Sequence, residues 1–166
     1  MTLSSESDRE GRTNMAEQHS TARIALRGLV DEYALASDTA DLERFGSLFT
    51  VDGEFVTSAP GSTEPVTLRG REQVKFGPSG NQMFEQTFHA VHNHIVDVDG
   101  DRAKGITYCT ARHLLRKADG SLEVILAPIR YIDDYALTAD GWKFARRELE
   151  WTWLERRPAQ PPEPWW

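Results

Sequence analysis

The sequence predicts an α+β fold: a curved, mostly antiparallel sheet wrapped as a cone-shaped α+β barrel around N-terminal helices, with an internal pocket between them. Three observations predict it. Apolar residues recur at helical spacing in the first third of the chain, and from residue 87 the period changes to two. The turn sequences DGD, KADG and TADG then cut the second half into strands. A meander of that kind buries one face only if something covers it, and the front helices are the cover the chain supplies.

The elements follow in order. Residues 1–20 are polar, charged and without period, and read as a disordered leader. Leu26, Leu29, Val30 and Tyr33 then fall at i, i+3, i+4 and i+7, one face of a first helix. A second helix carries the stripe Leu42, Phe45, Leu48 and Phe49, with Asp38 or Thr39 as its cap. VDGEFV is a first strand and PVTLRG its partner across the turn-rich APGSTEP. REQVKFGPSGNQMFEQ reads as a short, broken third helix. Four strands follow: TFHAVHNHIVDV, GITYCTARHLLRK, LEVILAPIRYIDDYAL and WKFARRELEWTW. Residues 21–154 thus form the domain, and 155–166 a proline-rich, extended tail. Its Trp165 and Trp166 either fray or pack on a neighbouring subunit.

Composition narrows the function. A chain of 166 residues suits one domain. A formal charge of −7 with no basic tract argues against nucleic acid and anionic membrane as partners. There is no run of 18 apolar residues and no signal-like apolar segment. The single cysteine, Cys109, rules out an internal disulfide, and a cytoplasmic location is expected. The expected partners are a small hydrophobic molecule with a polar group and further copies of the chain, in a homodimer or homotrimer.

Several residues are candidates for chemistry. On the last strand Ala145, Arg147, Leu149, Trp151 and Trp153 share one face, and Arg146, Glu148, Glu150 and Thr152 the wet one. Arg147 therefore sits among apolar residues, where it needs an anionic partner or must snorkel to the rim. Strict alternation puts His89 with Val91, Asn93 and Ile95, and His92 with His94 on the other face. His92 and His94 lack a third close ligand, so no metal is expected. His89 is the better general base, because imidazole titrates near neutrality. On the residues alone Asp38 reads as a helix cap, with Asp41 completing a partial capping box. Tyr33, on the apolar stripe, wants a hydrogen-bond partner. Asp133 and Asp134, beside Tyr131 and Tyr135, read as solvated strand-end acids. No phosphate loop, CxxC, HExxH or GxSxG is present.

Three segments, YALASDTADLERFGSLFTVDGEF, FHAVHNHIVDVDGDRAKG and DGWKFARRELEW, resemble the SnoaL-like family of the nuclear-transport-factor-2-like superfamily. The resemblance runs through residues 22–153. The family pattern is a helical Tyr with Asp five residues on, an "LF-x-x-D" turn, a strand with His then Asn, "DGD-x-A", and "DGW" before the last strand. Members include scytalone dehydratase, bile-acid 7α-dehydratase and the lindane dehydrochlorinase, all cofactor-free lyases. The resemblance implies that His89 is the base, that Asp38 orients it and that Tyr33 belongs to the site. His113 falls where scytalone dehydratase has its second catalytic histidine. Ile129 and Tyr131 stand near that enzyme's Ser and Asn, which leaves the substrate open.

The expected function is therefore a dehydratase-type elimination by a His89–Asp38 dyad with Tyr33. No cofactor and no metal are expected. His113, Arg147, Tyr108, Tyr131 and Trp151 are the expected substrate-binding residues. The substrate class is polyketide-, terpene- or steroid-like. The alternatives are a cyclase, isomerase or epoxide hydrolase on the same fold, or a scaffold like the β subunits of ring-hydroxylating dioxygenases.

Overall fold

The computed structural model describes residues 3–58 and 64–161 (backbone only for 3–12, 14 and 15). Helix α1 runs from Leu3 to Asp38. Its buried stripe is the predicted one: Leu26, Leu29, Val30 and Tyr33 are each less than a tenth exposed. Its start differs from the sequence reading. The segment expected to be a disordered leader is helical from Leu3, continuous with the amphipathic part. That stretch holds a single Gly and no Pro before Thr21, so nothing in it breaks a helix that tertiary packing nucleates further on.

The end of α1 also differs. Ala40 takes a left-handed φ of +50°. Asp41 N–H then donates to Ala36 O at 3.0 Å and Ala40 N–H to Ser37 O at 3.3 Å, a Schellman stop. Asp41, rather than Asp38 or Thr39, caps α2 (Leu42–Ser47) by accepting from the Arg44 N–H at 3.0 Å. Asp38 closes α1 with its carboxylate left for other partners.

The strands are β1 (Phe49–Thr57), β2 (Val66–Arg69), β3 (Gln86–Asp99), β4 (Arg102–Arg116), β5 (Leu122–Thr138), β6 (Gly141–Trp151) and β7 (Glu155–Ala159). Helix α3 (Arg71–Val74) and a 3₁₀ turn over Gly77–Met83 form the broken third helix. The sheet order is β2-β1-β6-β5-β4-β3, with β7 pairing the first part of β5. All pairings are antiparallel except β1 with β6. The sheet curves around α1 but does not close: β2 and β3 are its ends among the described residues. The start of the tail is not a free polyproline segment. Residues Glu155–Ala159 are a strand facing Leu122–Leu126, with Pro158 opposite Glu123 on an edge that tolerates its missing N–H. Trp165 and Trp166 lie outside the described residues.

Aromatic side chains fill the space between helices and sheet. Tyr33 packs on Phe45 with ring centroids 4.9 Å apart, and Phe49 on Phe144 at 5.2 Å. Phe45, Phe49 and Phe144 are at most 1% exposed, and each such side chain stabilises the fold by roughly 1.5–3 kcal/mol. Gly105 is required here: a Cβ there would come within 3.0 Å of the Tyr135 ring and 3.1 Å of Ile95 O.

Two β-bulges set which residues face inward. In β3, Val91 pairs with Cys109 and His94 with Thr107, so His92 and Asn93 together oppose Tyr108. In β6, Arg146 pairs with Asp134 and Phe144 with Tyr135, which leaves Ala145 as the extra residue. Strict alternation fails at both points. His94 turns inward to the face of His89, and Ile95 is 66% exposed. Phe144 and Arg147, three residues apart, are both fully buried, so Ala145 does not share the face of Arg147.

Candidate active site

Asp38 and His89 meet across the cone. The end of α1 and the start of β3 bring the Asp38 carboxylate against one short stretch of strand. His89 Nδ1 lies 2.6 Å from Asp38 Oδ1, and the His89 backbone N–H donates to Asp38 Oδ2 at 2.9 Å. The Thr87 hydroxyl donates to Oδ1 at 2.9 Å. Burial works against the Asp38 charge, but the bonds from His89 and Thr87 outweigh it and hold the carboxyl below its usual range. An ionised Asp38 fixes the imidazole proton on Nδ1 and leaves the Nε2 lone pair available. The Asp38 side chain is 21% exposed and that of His89 only 7%.

His113 stands next to this pair. Its ring centroid is 5.8 Å from that of His89, nearly perpendicular, and Phe84 covers it at 4.6 Å. Burial, reinforced by the neighbouring His89, pushes its pKa down to about 4, so His113 is neutral at physiological pH. Cys109 faces the same interior, 2% exposed, with its thiol pushed up to about 11 by burial. It is a wall residue rather than a nucleophile.

A second polar cluster lies deeper. Arg147 donates through Nε and Nη2 to the two oxygens of Asp133, each at 2.8 Å, and both side chains are fully buried. The rings of Tyr33, Tyr131 and Phe144 lie 4.1, 4.3 and 4.0 Å from the guanidinium carbon. Burial disfavours the Arg147 charge, and the Asp133 carboxylate more than restores it. Tyr135 donates to Asp133 at 2.7 Å, and His94 Nε2 meets the Tyr135 hydroxyl at 3.2 Å. Arg147 Nη1 is buried with no hydrogen-bond partner among the described residues. Burial also keeps Tyr33 and Tyr131 protonated far above neutrality, as neutral donors.

The structure thus brings together His89, Asp38 and His113 on one side, and Tyr33, Tyr131 and Arg147 on the other. Trp151 packs at the core margin and donates to Thr57 Oγ1 at 3.3 Å. Tyr108 is a correction: it lies on the outer face of β4, 43% exposed, because the inner face there belongs to Thr107 and Cys109. Asp133 is another: it is not a solvated strand end but the buried partner of Arg147, while Asp134 faces out toward Lys104. Arg147 does not snorkel. His92 and His94 do not share a face: His92 bonds outward to Thr110 at 2.8 Å, so the pair offers no joint ligand set. Among the described residues no group of three or more His, Cys, Asp or Glu is placed to hold a metal ion. Sequence reasoning missed Thr87, Tyr135 and His94. A hydroxyl two residues before a strand histidine was the one available signal for Thr87.

Comparison with known proteins agrees with this architecture. The family model of the SnoaL-like domain matches residues 18–148. No curated protein matches the chain. Among solved structures, a Kribbella flavida protein is 23% identical, with a TM-score of 0.73 over 82% of this chain and 95% of that one. A scytalone dehydratase-like protein from Novosphingobium aromaticivorans is 24% identical, with a TM-score of 0.68 over 93% and 97%. The type 3 hexachlorocyclohexane dehydrochlorinase of Novosphingobium barchaimii is 19% identical, with a TM-score of 0.69 over 87% and 97%. Within the described residues no helix is long and apolar enough to cross a membrane. The match covers most of the chain and the cone-shaped architecture is that of these structures, so the chain belongs to the SnoaL-like family.

Proposed function

We propose that this chain is a cofactor-independent lyase that removes the elements of water from a small hydrophobic substrate. The observation that carries the reading is the His89–Asp38 contact: a nearly buried imidazole held at Nδ1 and through its own backbone, with Nε2 left to act. His89 Nε2 takes a proton acidified by a neighbouring carbonyl. The electron pair forms the double bond as the C–O bond breaks, and the hydroxyl leaves as water with the proton that His89 Nε2 has taken, which restores the neutral imidazole. His113, Tyr33 and Tyr131 stay protonated and act as neutral hydrogen-bond donors to the leaving oxygen, and the last two also suit an enolate oxygen. Asp38 stabilises the imidazolium formed. Arg147, locked to Asp133, acts through the Tyr33 and Tyr131 rings it packs against and so fixes where their hydroxyls sit. The apolar wall suits a polyketide-, terpene- or steroid-like skeleton. Similarity to a scytalone dehydratase-like protein and a dehydrochlorinase supports elimination over other chemistry on this fold. The expected homodimer or homotrimer belongs to the same reading, with Phe88, Ile95, Ile106 and Tyr108 exposed on the outer face as the surface a second copy would cover.

The test is turnover by His89→Ala on a panel of β-hydroxy carbonyl compounds that the wild type dehydrates. The expected loss is at least about a hundredfold with folding intact. Full activity in the variant overturns the mechanism. No elimination with any panel member, together with tight capture by a large iron–sulfur subunit, favours the scaffold.

A further inference from the structure

The Asp38 carboxylate receives three donors, and all three come from one three-residue stretch of β3. Two are the ring and backbone of His89; the third is the Thr87 hydroxyl. Thr87 and the His89 ring bond to the same oxygen, Oδ1, and the backbone N–H takes Oδ2. An ionised carboxylate has about four lone-pair sites, so Oδ1 accommodates both donors. Each donor draws on the same negative charge. A second donor on Oδ1 therefore weakens what the carboxylate gives to the first, and fixes the plane in which it is given.

We propose that Thr87 is a positioning residue of this site: its hydroxyl shares Asp38 Oδ1 with the His89 ring and so sets both the aim of the carboxylate and the strength of its hold on the imidazole. Backbone geometry makes the arrangement specific. Residues i and i+2 of a strand share a face, so the Thr87 and His89 side chains both point at the end of α1. Asp38 is the last residue of that helix, just before the turn through Ala40, which aims it at the strand. Without the hydroxyl, Asp38 keeps two donors from one residue and can rotate about the line joining them. The charge it presents to Nδ1–H rises, which favours imidazolium. On the inner face of β4, beside β3, stand His113, which meets the His89 ring edge-on, and Cys109, both neutral, and among the described residues Asp38 is the charged group bonded to that ring.

The catalytic consequence rests on the lyase reading, because a base held too tightly as imidazolium is unavailable to take a proton. The chemical claim does not. The experiment follows the His89 ring by NMR across pH in the wild type, Thr87→Val, Thr87→Ala and Thr87→Ser. Both variants without a hydroxyl should raise the ring's titration midpoint by about half a pH unit or more, and Thr87→Ser should restore it. An unchanged midpoint in whichever hydroxyl-free variant folds overturns the proposal. So does a shift that Thr87→Ser fails to reverse, since that marks lost packing rather than a lost donor. Where turnover is measurable, the acid limb of its pH profile should move with the midpoint. A moved midpoint in a protein without elimination activity leaves the tuning standing and removes only the lyase reading.

Discussion

The interior of this cone holds two pairings of a carboxylate with a basic side chain, built to opposite ends. Asp38 and His89 sit where helix and strand meet, with 21% of the Asp38 side chain open to solvent. Asp133 and Arg147 lie at the centre of the sheet, sealed under Tyr33, Tyr131 and Phe144. The first pairing joins a carboxylate to an imidazole, a group able to take up and return a proton; the second joins one to a guanidinium whose charge the Asp133 carboxylate secures against burial. Desolvation explains the division of labour. A fixed ion pair survives complete burial only if nearly every donor and acceptor is matched, as two parallel bonds and the Tyr135 hydroxyl do here. The proton transfer proposed for the first pair needs access for a substrate and a partner whose charge the imidazole can feel, which a place at the margin provides.

The comparison breaks most visibly if one partner of the buried pair is neutralised. Asp133→Asn leaves the Arg147 cation without its counter-charge in the core. The expected cost is about 3–5 kcal/mol, read as a fall in the urea midpoint. Asp38→Asn should cost much less, because the substituted side chain itself is 21% exposed at the margin of the cone, yet should damage turnover far more than stability. Equal stability losses from the two substitutions would erase the distinction drawn here.

Most of the fold was legible because periodicity reports burial directly. The stripe of Leu26, Leu29, Val30 and Tyr33, the meander and the turns all follow from it. The His89–Asp38 contact became legible only through the family resemblance. On the residues alone Asp38 read as a cap, since the stop that frees it depends on Ala40, a residue with no turn signature. The buried cluster was half visible. Arg147 was placed inside, but its partner Asp133 was read as solvated because it is adjacent to another acid near a strand end. Alternation puts one of two adjacent acids on each face, and Asp134 takes the wet one. His94 was lost to a bulge. An extra residue in one strand reverses every later assignment to a face, and nothing in HNH marks where the extra residue sits.

The acid side of the comparison concerns His113. Its folded pKa is about 4, against an ordinary value of 6.5. Between those pH values the unfolded chain binds a proton that the folded chain does not. Stability therefore falls as pH drops through that window, and the loss is complete below about 4. Asp38, whose carboxyl is held below its usual range, adds a further loss only at lower pH. Denaturant titrations at pH 7 and pH 5 should show the fall in the wild type and a smaller one in His113→Gln. An identical fall in both would place its source elsewhere.

The smallest expected effect sharpens the margin site itself. Ala40 holds φ at +50°, a conformation that costs an L-residue and suits glycine. Ala40→Gly removes the strain but gives the unfolded chain more freedom, so the net gain should be roughly 0.5–1 kcal/mol. The same turn aims Asp38 at Thr87 and His89, and a glycine there defines the aim less sharply. A more stable protein with lower turnover is therefore expected, measured by thermal melting and kinetics on the same sample. This is the opposite of Asp133→Asn, where folding fails first. A gain in stability with unchanged turnover would show that the three donors on Asp38 hold it without help from the turn. Loss of stability would mean that the Ala40 methyl makes contacts worth more than the strain it carries.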